Sequence, residues 1–98
     1  MPGVERGTSY GTPAIKVAGK LLARLRDDGD VVLHVEEGLR DALIAASPDV
    51  FHVTPHYAPY DWVLVRLDAA DAGQIGGLIE RAWERRAPAR IRTARAVV

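Results

Sequence analysis

Apolar and polar residues alternate every second position through the first third of the chain, the signature of strands with one buried face. Pro13–Val17, Leu21–Arg26 and Val31–Glu36 read as three such strands. Ile15 and Val17 share one side of the first, Leu21, Ala23 and Leu25 one side of the second, and Val31, Leu33 and Val35 one side of the third. These sets meet when the connections hold an odd number of residues. Ala18-Gly19-Lys20 as a loop of three and Arg26–Asp30 as a loop of five both satisfy that condition. A slip of one residue sets Ile15 opposite Leu22 and turns the core face over. Gly19 and Asp28-Gly29 suit the positive-φ positions of such turns. The pattern predicts an antiparallel meander whose outer face carries Lys16, Leu22, Arg24 and His34, with Lys20 at a turn.

The period then lengthens. Leu39, Ala42, Leu43 and Ala46 fall on one face of a helix over Glu37–Ala46, which Pro48 ends because the residue before a proline avoids helical angles. Val50–Val53 is a short strand, Thr54–Tyr60 a turn with two prolines, and Trp62–Leu67 a strand with Val63, Val65 and Leu67 on one side. Trp62 and Leu64 point to the opposite side, where a helix or the N-terminal loop is expected to cover them. A second helix runs from about Ala69 to Ala87, with Asp68 as its N-cap and Ile75, Leu78, Ile79, Ala82 and Trp83 as its apolar stripe. Gly73, Gly76 and Gly77 each cost about 1 kcal/mol in a helix interior, which points to close backbone approach or a frayed first turn. Residues 1–12 read as a loop or tail, and residues 89–98 as a basic tail. The order β-β-β-α-β-β-α predicts one α+β domain, a two-layer sandwich with about five antiparallel strands and its helices on one face.

Charge changes this picture little in sum and more in distribution. The 98 residues hold 13 basic and 13 acidic side chains, whereas phosphate-binding proteins are usually basic. Residues 81–98, however, carry six arginines against Glu84 alone, and the first eighty residues are net acidic. A polarised molecule suits an anionic surface, although a solvated helix end explains the same pattern. Without cysteine, disulfides, thiolate metal sites and thiol nucleophiles are ruled out. No apolar run approaches the roughly 20 residues of a membrane span, so no membrane association is expected. The N-terminus lacks an export signal, and a cytoplasmic protein is expected.

Few residues read as catalytic. Ser9 and Ser47, the chain's two serines, lack the context of a nucleophile elbow. The carboxylate pairs Asp27-Asp28, Glu36-Glu37 and Asp68/Asp71 sit at turns or helix starts, where solvation and capping account for them. His52 and His56 are four apart, but one lies on a strand and one in a turn, so no metal site and no cofactor are expected. Thr8–Pro13 lacks the order of a phosphate loop and reads as a turn held by its own hydroxyls. In the Thr54–Tyr60 turn, His56 with Tyr57 and Tyr60 is the most chemical-looking group, suited to contacting a ligand or to a surface role. Lys16, Lys20 and Arg24 on a ribbon suit a phosphate backbone, although an ordinary solvated strand face carries such residues too.

Five ordered blocks resemble the MmcQ/YjbR family of small bacterial proteins: Gly7–Val17 (GTSYGTPAIKV), Lys20–Leu25 (KLLARL), Val53–Tyr57 (VTPHY), Trp62–Leu67 (WVLVRL) and Ala82–Pro88 (AWERRAP). The likeness spans Pro2 to about Arg90. It implies a frataxin-like sandwich and a double-wing mode of DNA binding, with wings around Ala18-Gly19-Lys20 and near Thr54–Tyr60. By that likeness the nucleic-acid contacts are Lys16, Lys20, Arg24, His56 and Tyr57, and no catalytic residue carries over. Members carry a helix ahead of the Pro-Gly-Val segment; here Met1 precedes Pro2 directly, so that helix is lost or the sequence starts internally. Its loss would expose a flank of the sheet and favour pairing of two copies.

These readings converge on a non-catalytic DNA-binding protein, a monomer or weak homodimer. The alternative is a protein-interaction module that uses a sheet edge or the Arg81–Arg95 end. A third option is a small-molecule site beneath the Tyr10, His56, Tyr57 and Tyr60 turns.

Overall fold

The computed structural model describes residues 2–91 other than Tyr10. Six strands form one antiparallel sheet: β1 (Val4–Ser9), β2 (Thr12–Val17), β3 (Lys20–Leu25), β4 (Val31–His34), β5 (Phe51–His52) and β6 (Trp62–Val65). Their order across the sheet is β1-β2-β3-β4-β6-β5. Helices α1 (Glu37–Ala46) and α2 (Ala72–Arg86) pack on one face, which makes the α+β sandwich expected from the sequence. β1 is the extra strand, formed where a loop or tail was expected. It pairs with β2 from Val4↔Val17 to Ser9↔Thr12.

Between sheet and helices lies a core of Ala23, Leu33, Val35, Phe51, Val63, Val65 and Leu78, joined by Leu39, Leu43, Ile75 and Ile79 from the helices. A second cluster fills the other end of α2, where Trp83 and Ala82 meet Val17 and Leu22. The indole N–H of Trp83 donates to the Pro2 carbonyl at 2.8 Å, so this large buried ring leaves no polar atom unpaired.

The first hairpin departs from its expected register. Val17 pairs with Lys20, so the loop is two residues, Ala18 (φ +48°) and Gly19 (φ +78°), in the left-handed conformation that two-residue hairpins favour. Alanine rarely adopts that conformation, which is why a three-residue loop was the natural expectation. A bulge restores the pairing further on: Lys16 faces Leu21, but Ile15 faces Ala23, and β3 carries the additional residue. Leu22 is therefore fully buried against Trp83, and Leu21 lies on the outer face beside Arg24. The expected positions of Leu21 and Leu22 are thus exchanged, while Ile15, Ala23, Leu33 and Arg24 keep theirs. The second loop, Arg26–Asp30, has the expected five residues and is closed by Arg26 N–H to the Asp30 carbonyl at 2.7 Å, with Gly29 at φ +91°.

Asp71, not Asp68, caps α2, accepting from the Gln74 N–H at 2.8 Å. Leu67–Ala69 forms a separate 3-10 turn, so the helix begins three residues later than expected. A Cβ placed at Gly76 or Gly77 meets no atom within 4 Å, so these glycines serve no close backbone approach. After a break at Ala87-Pro88, residues 89–91 are helical again; the rest of the expected tail lies outside the described residues.

Candidate nucleic-acid interface

The outer face of the sheet, away from both helices, holds Val32 and Leu64 almost fully buried. Among the described residues, the loop between β5 and β6 supplies part of their cover. Residues 53–61, which join β5 to β6, place Tyr57 and His56 beside Leu21, Val32 and Trp62. The loop keeps this shape through its own backbone: Tyr57 and Ala58 N–H donate to the Thr54 carbonyl, and Tyr60 N–H to that of Tyr57. Arg40 of α1 anchors it. That side chain is buried and donates to the Ala58 and Tyr60 carbonyls at 3.2 and 2.7 Å.

Arg24 meets this loop from the sheet. Its guanidinium donates to the Tyr57 hydroxyl at 3.1 Å and to Thr12 Oγ1 at 3.4 Å. The His56 ring stands edge-on to Tyr57, with centroids 5.0 Å apart. Three of the five residues singled out in the sequence, Arg24, His56 and Tyr57, therefore share one spot, although they come from two segments. Lys16 lies on the same outer face, about 7 Å along the strand from Arg24's partner Ala14. Glu5 of β1 stands directly across from it and offsets part of its charge. Lys20 is separate. Paired with Val17, it belongs to the helix side at the exposed hairpin tip. Tyr10 lies outside the described residues, so the expected small-molecule site is only partly in view.

Two hollows on the outer side adjoin Arg24, which also lines a third, on the helix side. One, of about 430 Å³, is lined by Leu21, Arg24, Val32, His56, Tyr57 and Trp62. The other, of about 390 Å³, adds Arg26, Asp27, Asp28 and Thr54, and Arg26 pairs with Asp28 at 3.3 Å. Among the described residues, no three His, Asp or Glu side chains converge as metal ligands.

The second basic region is arranged differently. Arg81 and Arg85 both reach Glu36, at 2.6 and 2.7 Å, and Arg85 also reaches Asp61 at 3.4 Å. Arg85 donates to His34 Nδ1 at 3.3 Å; a guanidinium only donates, so this nitrogen is unprotonated. Burial, then the charges of Arg86 and Arg85, lower the His34 pKa to about 4. Burial pushes the Glu36 carboxyl up, but the Arg81 hydrogen bond and the Arg85 charge outweigh it and hold it below its ordinary value. Arg86 lies over the Trp62 ring, 5.6 Å from its centroid, while His34 meets the indole edge-on at 4.9 Å. Sequence reasoning missed this cluster because its acids, Glu36 and Asp61, lie far from the arginine run in the chain.

The YjbR family model matches residues 1–85. The chain belongs to the YjbR family. Three uncharacterised proteins, one from Mycobacterium bovis and two from strains of Mycobacterium tuberculosis, are 43% identical to it over 53 residues. That stretch is 54% of this chain and 41% of each relative, so the similarity covers less than half of their length. No solved structure matches the chain. Among the described residues, no helix of this YjbR protein is long and apolar enough to cross a membrane.

Proposed function

We infer that this YjbR protein is a non-catalytic, cytoplasmic nucleic-acid-binding module that uses the outer face of its sheet. The observation that carries this reading is the Arg24–Tyr57 hydrogen bond, which joins the β2–β3 hairpin and the 53–61 loop into one cationic and aromatic surface. A guanidinium beside aromatic rings offers phosphates a charge and bases a stacking partner. Arg24 is the principal contact, with Tyr57 and His56 beside it, Lys16 further along the face and Lys20 at the tip. The test is a salt-titrated binding assay. Affinity should fall with salt at a log–log slope of about −0.7 to −0.9 per phosphate contacted. Changing Lys16, Lys20 and Arg24 together to Ala should remove most of the binding. Salt-independent binding, or none at low ionic strength, would overturn the reading.

A protein-interaction module is favoured by a separate observation. On the helix side, an apolar hollow of about 440 Å³ lies between the sheet and α2, lined by Ile15, Leu25, Val31, Leu67, Ile75 and Ile79. Capture of a protein partner that survives nuclease treatment, with no mobility shift on DNA, would select this alternative.

A further inference from the structure

We propose that the outer-face hollow walled by Leu21, Val32, Trp62, His56 and Tyr57, with Arg24 at its lip, receives one unpaired nucleobase, so that the protein prefers single-stranded nucleic acid to duplex. This rests on the nucleic-acid reading above and adds which form is bound. Elements that read a duplex are convex: a helix or ribbon enters a groove about 12 Å wide. The surface around Arg24 is concave, and a hollow receives rather than inserts. Its volume, about 430 Å³, falls in the range of small-ligand clefts and is far too small for paired strands.

The lining matches a base in kind. Three aromatic side chains and two aliphatic ones supply apolar walls, and a base stacks on aromatic rings whatever its identity. Arg24 and the Tyr57 hydroxyl, already bonded to each other, form a polar lip able to meet a base edge or its phosphate. Trp62 is fixed in advance by His34 at its edge and Arg86 over its ring, so the platform needs little ordering on binding.

Charge sets the path of the strand. In the neighbouring hollow Arg26 pairs with Asp28 at 3.3 Å, and the Asp27 carboxylate beside them disfavours phosphate on that side. On the other side Lys16 shares the outer face, part of its charge offset by Glu5 across from it, while Lys20 at the hairpin tip lies on the helix side. The phosphates therefore run from Arg24 toward Lys16, with the base turned into the hollow.

The experiment titrates the protein with a deoxythymidine decamer, a hairpin duplex of mixed sequence and thymidine monophosphate, reading both anisotropy and tryptophan fluorescence. Trp83 is buried, so quenching by a stacked base reports Trp62. The decamer should bind at least about tenfold more tightly than the duplex and quench the signal, and the mononucleotide should quench it only at much higher concentration. Trp62→Leu should abolish the quenching and weaken decamer binding about tenfold. His56→Ala, on the exposed loop, gives a second variant expected to weaken it in the same sense. Equal binding of duplex and decamer without quenching would overturn the base pocket and leave the nucleic-acid reading intact. Binding of neither would overturn both. Mononucleotide binding as tight as that of the decamer would overturn the strand path.

Discussion

Two groups of arginines on this molecule look alike in sequence and are treated in opposite ways by the fold. Arg81 and Arg85 near the end of α2 turn onto Glu36 and Asp61, and their charge is consumed by tying that helix to the β4–α1 junction. Arg24 on β3 donates instead to the Tyr57 and Thr12 hydroxyls and stands at the lip of a hollow. A basic run therefore identifies a binding surface only when its counter-charges are known. The C-terminal arginines, the denser run, act mainly as struts in the described part of the chain. Arg24, far from that run in the chain, is the arginine that the proposed binding surface uses.

Acidification should break the strut region with the largest effect. His34 and Glu36 both have folded pKa values below their ordinary ones, so the unfolded chain takes up their protons more readily. Stability should be complete above about pH 6.5 and fall as pH drops toward 4, with His34 contributing up to about 3 kcal/mol. Denaturant unfolding at a series of pH values checks this; a flat profile between pH 7 and 4.5 would contradict it. Arg85→Ala should cost about 1 kcal/mol, because this partly exposed side chain joins three groups. The same substitution should raise the His34 pKa, visible in an NMR titration, and leave nucleic-acid binding unchanged. Arg24→Ala should do the reverse, lowering affinity about tenfold while changing stability by under about 1 kcal/mol. If both variants lose affinity equally, the contrast between the regions is wrong. Smallest of all, Gly77→Ala should stabilise α2 by about 0.5–1 kcal/mol without touching either region, since the added methyl meets open space. A melting temperature that falls instead would reveal a packing role for that glycine.

Much of this architecture could be read before any coordinates. Helix α1 spans the expected Glu37–Ala46, and the stripe Ile75, Leu78, Ile79, Ala82 and Trp83 faces the sheet. Periodicity captures such elements because burial on one face is what stabilises them. It failed for β1, whose Val4–Ser9 stretch is an edge strand of mostly exposed residues with little apolar alternation. It failed at Leu21-Leu22 for another reason: either leucine satisfies the pattern, and only the bulge decides between them. At the site, residue types singled out Arg24, His56 and Tyr57, but not that a hydrogen bond across 33 positions joins Arg24 to Tyr57. Lys16 and Lys20 read as equivalent in the sequence, yet pairing with Leu21 and Val17 sends them to different sides. Tertiary pairing is not written in local pattern.

The irregularity in β3 makes the hairpin a mechanical coupling. Because one leucine anchors Trp83 and its neighbour borders the hollow, adding or removing a single residue at the Ala18-Gly19 tip would pull on both at once. Length changes there should therefore be poorly tolerated even though the tip itself touches solvent on every side.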